Sequence, residues 1–156
     1  MAKFTVNAGN EYSLRLAKFG ANTVEIAKKV VMAGAYPIAD EVRKGLIENI
    51  NDPAYVGKGD GGLFGMKNNE STGDLLESFG IAPPGIDKNG NTNTKIGFDG
   101  YDRHGVPNAL KARAMESGTS ILKKRPFVRP AVSRMKGKAI AEMGKKLDYE
   151  IKIYSL

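Results

Sequence analysis

Two aspartates and the only histidine of the chain sit close together in Asp99-Gly100-Tyr101-Asp102-Arg103-His104. Side chains of these types can move a proton or hold a cation, and the stretch is the one that invites an active-site reading. A protein zinc site draws three or four ligands from cysteine, histidine and carboxylates at set spacing. The chain has no cysteine, and no second cluster completes such a set. A hydrolytic triad needs a nucleophile held against the histidine, and a glycosidase-type pair needs two carboxylates at a working separation; no spacing favours either. The segment reads as a turn-rich loop after a strand, and no catalytic residue, metal ligand or cofactor is expected.

A second candidate is glycine-rich, Gly57-Lys58-Gly59-Asp60-Gly61-Gly62. A phosphate-cradling P-loop needs Gly-Lys followed by Ser or Thr at the head of a helix, whereas Lys58 runs into Gly59 and no strand precedes it. Asp52-Pro53 marks a stop before it. A long structureless stretch in a small domain is functional or disordered. Residues 51–70 therefore read as a flexible, partner-facing loop, with Lys58 and Asp60 as candidate contacts.

The third candidate is electrostatic. Residues 103–146 hold 12 Lys or Arg against Glu116 and Glu142, a net of +10 within a chain whose net charge is +7. A block of this kind draws nucleic acid or an acidic protein surface. Its densest part is Lys123, Lys124, Arg125 and Arg129, with no acid among them. Their counter-charge must be solvent, an adjacent subunit or DNA. Pro126 and Pro130 stiffen the segment, and a rigid segment loses less entropy on docking, which favours a protein partner. The aromatic residues are not interleaved with the basic ones as in a single-strand stacking platform, and no named nucleic-acid motif is present.

The elements that position these groups can be read from periodicity. Glu11 to Ile50 is helical, with a short first helix ending near Gly20 and a long second one that Gly34 and Pro37 bend. Ile38, Val42, Leu46 and Ile50 keep the helical period beyond the proline. Ser71 or Thr72 caps a short helix carrying Leu75, Leu76 and Phe79. A hairpin follows, turning at Asn89-Gly90, and its first strand is made irregular by Pro83-Pro84. Asn108 to Ser117 is a helix that Gly118 ends with a left-handed cap. Arg125 to Arg129 is extended. The last helix starts at Pro130 and runs to about Tyr149, with Ala131, Met135, Ala139, Met143 and Leu147 as its apolar stripe. Ile151, Ile153 and Tyr154 alternate and could add a strand.

With 156 residues the chain makes one domain, 1–156. No signal-peptide pattern or membrane-spanning apolar run occurs, so a soluble protein made without secretion is expected. The fold class is α+β: a long bent N-terminal helix and a C-terminal amphipathic helix packed on a small antiparallel hairpin.

Three segments, in order, resemble one family. Thr72-Gly73-Asp74-Leu75-Leu76-Glu77-Ser78 matches a TG-x-L-x-x-S segment that opens a short helix ahead of a hairpin. Glu116-Ser117-Gly118-Thr119 matches an E-x-GT helix end, and Arg125-Pro126-Phe127-Val128-Arg129-Pro130-Ala131 matches RPF-x-RPA before a final helix. Together they are similar to the tail-completion (neck, head–tail joining) proteins of long-tailed bacteriophages, over roughly residues 11–150. The resemblance implies a non-enzymatic virion protein, assembled in the host cytoplasm, that forms a homo-oligomeric ring. Its partners would be the head connector or head-completion protein and the tail terminator or tail tube, with DNA passing through the lumen. Thr72, Gly73, Leu75, Ser78, Gly118, Thr119, Pro126, Phe127 and Pro130 are its scaffold residues, Phe127 as a buried anchor. A DNA-binding or DNA-processing accessory protein using the 103–146 block is the alternative reading.

Overall fold

The apolar period that begins in Glu11–Ile50 becomes one uninterrupted helix, α1 (Asn10–Ile50), of 41 residues. The computed structural model describes residues 10–52, 72–120 and 122–155. The loop expected over 51–70, with Lys58 and Asp60, lies outside the described residues apart from Asn51 and Asp52. The expected division near Gly20 does not occur. A helical glycine costs only about 1 kcal/mol relative to alanine, too little to end a helix of this length. Pro37 also lies inside α1. It removes one donor and crowds the preceding turn, but Ala39, Val42 and Leu46 beyond it are all buried, and that packing carries the helix through.

The last helix, α4 (Val128–Ser155), has 28 residues and exceeds its expected bounds at both ends. Pro130 falls inside the first turn rather than at its first position. The missing N–H is harmless there, because first-turn donors have no intrahelical acceptor. Ile151, Ile153 and Tyr154 do not form a strand. Glu150 is buried and Tyr154 meets Phe19 edge-on at 5.8 Å between ring centres, so this segment stays helical against α1.

The two long helices pack antiparallel. Phe19 meets Tyr154, Lys29 meets Glu150 at 3.2 Å and Glu41 meets Arg134 at 3.1 Å. Close approach depends on two glycines of α1. A Cβ on Gly34 would lie 2.5 Å from Met143 Cγ, and one on Gly45 would lie 3.1 Å from Phe127 Cβ.

The hairpin rests on another side of α1. After α2 (Asp74–Glu77), β1 (Phe79–Ile81) and β2 (Gly85–Ile86) run out, and β3 (Thr92–Asn93) and β4 (Ile96–Phe98) return. β1 pairs with β4 in the register Phe79↔Phe98, Gly80↔Gly97 and Ile81↔Ile96, and β2 pairs with β3. Pro83-Pro84 falls between the two ladders, where a residue without a donor does least harm. The turn differs from the expected two-residue form. Asp87 N–H donates to Asn91 O and Gly90 N–H to Asp87 O, with positive φ at Gly90 alone, so three residues make the loop.

Thr72 and Ser71 were expected to cap α2. Gly73, at φ 84°, precedes that helix without a side-chain cap, and Thr72 Oγ1 donates to Asp74 Oδ2 instead; Ser71 is outside the described residues. The bounds of α3 (Asn108–Ser117) are as read from the sequence.

The fold is α+β, with the hairpin on α1 and the head of α4 meeting it at Phe127. Ala39, Val42, Leu46, Phe79, Ala112, Phe127 and Ala131 form the core. Phe98 bridges it, 5.2 Å from Phe79 and 6.1 Å from Phe127 between ring centres. Phe127 is 2% exposed. Its replacement by alanine should cost about 3–5 kcal/mol, read from the shift in a denaturant unfolding midpoint. A loss below about 1 kcal/mol, the size of an ordinary surface change, would contradict its place in the core.

Candidate interface at the head of the last helix

The first N–H groups of any α-helix lack intrahelical acceptors. At the head of α4 they lie beside buried Phe127, and one carboxylate serves them. Glu116, near the end of α3, accepts from Phe127 N–H at 2.7 Å and Val128 N–H at 2.9 Å on Oε2, and from Arg129 N–H at 3.0 Å on Oε1. Burial pushes the Glu116 carboxyl up, but the three backbone donors and the Arg129 charge outweigh it and hold the pKa below the ordinary glutamate value. The negative charge also faces the positive end of the α4 dipole.

The loop between the two helices is shaped to permit this cap. Gly118 N–H closes the last turn of α3 on Ala114 O with φ 75° and ψ 173°. Its φ is positive as expected, but its ψ is extended rather than left-handed helical. A Cβ there would sit 2.8 Å from Lys124 N and 3.0 Å from Leu122 O, so the glycine is required twice, by φ and by space. Thr119 and Leu122 bond reciprocally: Thr119 N–H donates to Leu122 O, and Thr119 Oγ1 accepts from Leu122 N–H at 2.9 Å.

Arg125 departs from its expected role. Its Nη1 donates to Asn49 O at 2.6 Å, Asn49 Nδ2 donates to Arg125 O at 2.9 Å, and Arg125 N–H donates to Met115 O at 2.8 Å. The side chain is a staple to the end of α1, not a surface charge. Arg129 Nε lies 3.8 Å from Glu116 Oε1. The four cations read as one patch are thus divided: Arg125 points inward, Arg129 stands beside its own acid, and Lys123 and Lys124 are exposed on a loop tied at both ends.

The Asp99–His104 segment is a loop built around Asp102. This buried carboxylate accepts from His104 N–H and Val106 N–H, both at 2.8 Å, and pairs with Lys111. The Lys111 hydrogen bond, against the opposing effect of burial, holds its carboxyl below the usual aspartate range. A carboxylate stabilised as the anion in this way is a poor general base. Asp99 Oδ1 accepts from Gly100 N–H at 2.7 Å, and the His104 side chain is exposed.

Next along, Arg103 clamps Asp74 through Nε at 2.9 Å and Nη2 at 2.8 Å and donates to Thr72 O at 3.0 Å. The Arg103 hydrogen bond takes the Asp74 carboxyl far below the usual range. Ser78 Oγ closes α2 on Leu75 O at 2.8 Å. Thr72, Gly73, Leu75 and Ser78 are thereby tied to the same body as the joint. Pro126 is exposed and Pro130 half-buried.

Sequence reasoning singled out Glu116 and the Arg125–Ala131 segment separately and missed their contact. Local capping rules look three residues ahead, whereas this carboxylate reaches donors 11 to 13 residues away. Comparison with protein-family models, curated proteins and solved structures gives no match.

Glu116→Ala should destabilise the fold by about 2 kcal/mol, the upper end of measured cap losses. Because the folded pKa is depressed, the unfolded chain binds the proton more readily, and the cap's contribution is present above the ordinary glutamate pKa of 4.5 and lost as pH falls through the folded value. The stability gap between wild type and Glu116→Gln should therefore narrow in acid, measured by urea unfolding at several pH values. A gap that widens there would refute the cap. Gly118→Ala should cost roughly 1–3 kcal/mol for the strained φ alone, and a neutral result would show that the loop has another conformation.

Proposed function

We propose that this chain is a structural subunit of a phage neck, of the tail-completion type, which acts through protein–protein contacts as a homo-oligomeric ring joining a head connector to a tail tube. The observation that carries this reading is the joint at the head of α4. The segments that resemble the family, scattered along the sequence, are consumed in one packed body: Glu116 caps the Arg125–Ala131 segment, Gly118 gives it room, and the helix following Thr72-Gly73 packs on the same core through Leu75 and Leu76. Such a joint holds a short exposed loop rigidly, which suits docking to a neighbour.

The DNA-binding alternative draws less support from the charges than the sequence suggested. Of the 12 basic residues in 103–146, six face acids of their own chain: Arg103, Lys111, Arg129, Arg134, Lys145 and Lys146. Arg125 is occupied at Asn49. The field left for a nucleic acid is far smaller than +10.

An amber mutation in the gene should yield filled heads and finished tails that stay separate in electron micrographs. Intact virions from that mutant would overturn the proposal. Within it, Lys123→Glu/Lys124→Glu should leave unfolding stability within about 0.5 kcal/mol, as for ordinary surface changes, and abolish joining. Normal joining with heads that leak DNA would assign the two lysines to the lumen.

A further inference from the structure

The loop between β4 and α3, residues 99–107, is fastened by two buried polar residues, Asp102 and Asn108. Asp102 Oδ1 accepts from His104 N–H and Val106 N–H, and Lys111 closes on its other oxygen. Asn108 holds the near side, its N–H donating to Gly100 O at 3.0 Å and its Nδ2 to Asp99 O at 3.1 Å. Arg103 clamps the loop to α2 through Asp74. What this rigid loop presents is Tyr101, 71% accessible and the most exposed of the large apolar side chains among the described residues. Pro107, bridged to Tyr101 across the loop, and Leu110 on the first turn of α3 are exposed as well.

Charge of opposite sign is left over at the two ends of α3. Of the charged groups on the Tyr101 loop and bonded to it, Arg103 is matched by Asp74 and Lys111 by Asp102. That leaves the exposed Asp99 carboxylate, which has no ion pair among the described residues. In the segment after α3, Arg129 stands beside Glu116 and Arg125 is held at Asn49. That leaves the exposed Lys123 and Lys124, which have no ion pair among the described residues either. The ten residues of α3 set the two loops about 15 Å apart. Both loops are held rigidly, and they are complementary to each other rather than each to itself.

We propose that the Lys123–Lys124 loop of one copy docks on the Tyr101 loop of the next. One ammonium meets the Asp99 carboxylate, and the other lies over the face of the Tyr101 ring, with the lysine stems along the apolar surface of Pro107 and Leu110. Tyrosine is a frequent anchor of interfaces, and two loops already held in place lose little entropy on docking. A second copy fits the tyrosine patch better than a nucleic acid does, because Asp99 would repel a phosphate backbone. The contact joins unlike surfaces, so each bound copy still offers one patch to another, and such a contact closes into a ring when the rotation between copies allows it. It gives the ring proposed above its subunit contact, and it rests on that reading for the closed form.

The chain has no cysteine, so introduced cysteines report geometry without background. His104 and Ser120 are exposed members of the two loops. A mixture of His104→Cys and Ser120→Cys subunits should give crosslinked dimers with a short bis-maleimide, and neither variant alone should, because a head-to-tail contact keeps like residues a subunit apart. Polarity is the decisive readout. Lys123→Glu/Lys124→Glu should abolish the crosslink when carried on the Ser120→Cys chain and spare it on the His104→Cys chain. Tyr101→Ala should do the reverse, weakening association about tenfold or more only on the His104→Cys chain. Crosslinking of either variant alone, no crosslink in the mixture, or equal loss from whichever chain carries the lysine changes would overturn the proposal. So would a Tyr101→Ala subunit with a markedly lowered urea unfolding midpoint, since its own chain would then cover the tyrosine. The amber phenotype reads the neck separately: no crosslink with heads and tails still apart strikes this contact alone, and a polar crosslink with intact mutant virions strikes the neck reading alone.

Discussion

The first turn of α4 must find an acceptor for backbone donors that lie against the core, and Glu116 is that acceptor. Leaving a buried donor unsatisfied costs about 1–3 kcal/mol, so the carboxylate favours a helix that begins there. Much of the neighbourhood follows from that need. α3 must end one turn from α4, Gly118 must take a backbone conformation that only glycine adopts cheaply, and the intervening loop must pass within contact of its own start. Arg125 then ties the loop to the last turn of α1, so the ends of three helices are held by one hydrogen-bonded knot around Phe127.

α1 is the shared wall. One side of it receives α4, the other the hairpin and α2, and it is the glycines at 34 and 45 that let α4 come close. Charges along the helix pair are matched across it. Glu150 is 2% exposed and bonded to Lys146 and Lys29, which hold its pKa below the ordinary glutamate value against the effect of burial. Removing either lysine would leave a buried carboxylate undercompensated. The same helix pair therefore has a sealed inner face and an ion-paired edge, and the two differ only in which residues the helical period brings to each side.

The sequence alone determined the elements whose signals are local. α3 was legible to the residue because glycine ends it, the hairpin because Asn89-Gly90 and Pro83-Pro84 punctuate it, and the burial of Phe127 because prolines set the chain ahead of an apolar stripe. Local signals also misled. Gly20 looks like a break but is outweighed by the packing of α1, and the alternation of Ile151, Ile153 and Tyr154 is too short to tell a strand from the end of a helix that has Phe19 to pack on.

What only the tertiary structure decided is partnership. A run of cations reads as an unneutralised block when its acids include Asp74 and Glu41, far away in the chain, and Arg125 reads as a surface charge when its acceptor is the carbonyl of Asn49. Spacing rules see neighbours within a turn or two, because period and propensity are properties of a short stretch. Glu116 and the donors it caps are separated by a reversal of the chain, and no local rule carries across a reversal. That contact exists only once the helices have packed, which is why the segments could be seen in the sequence and the joint between them could not.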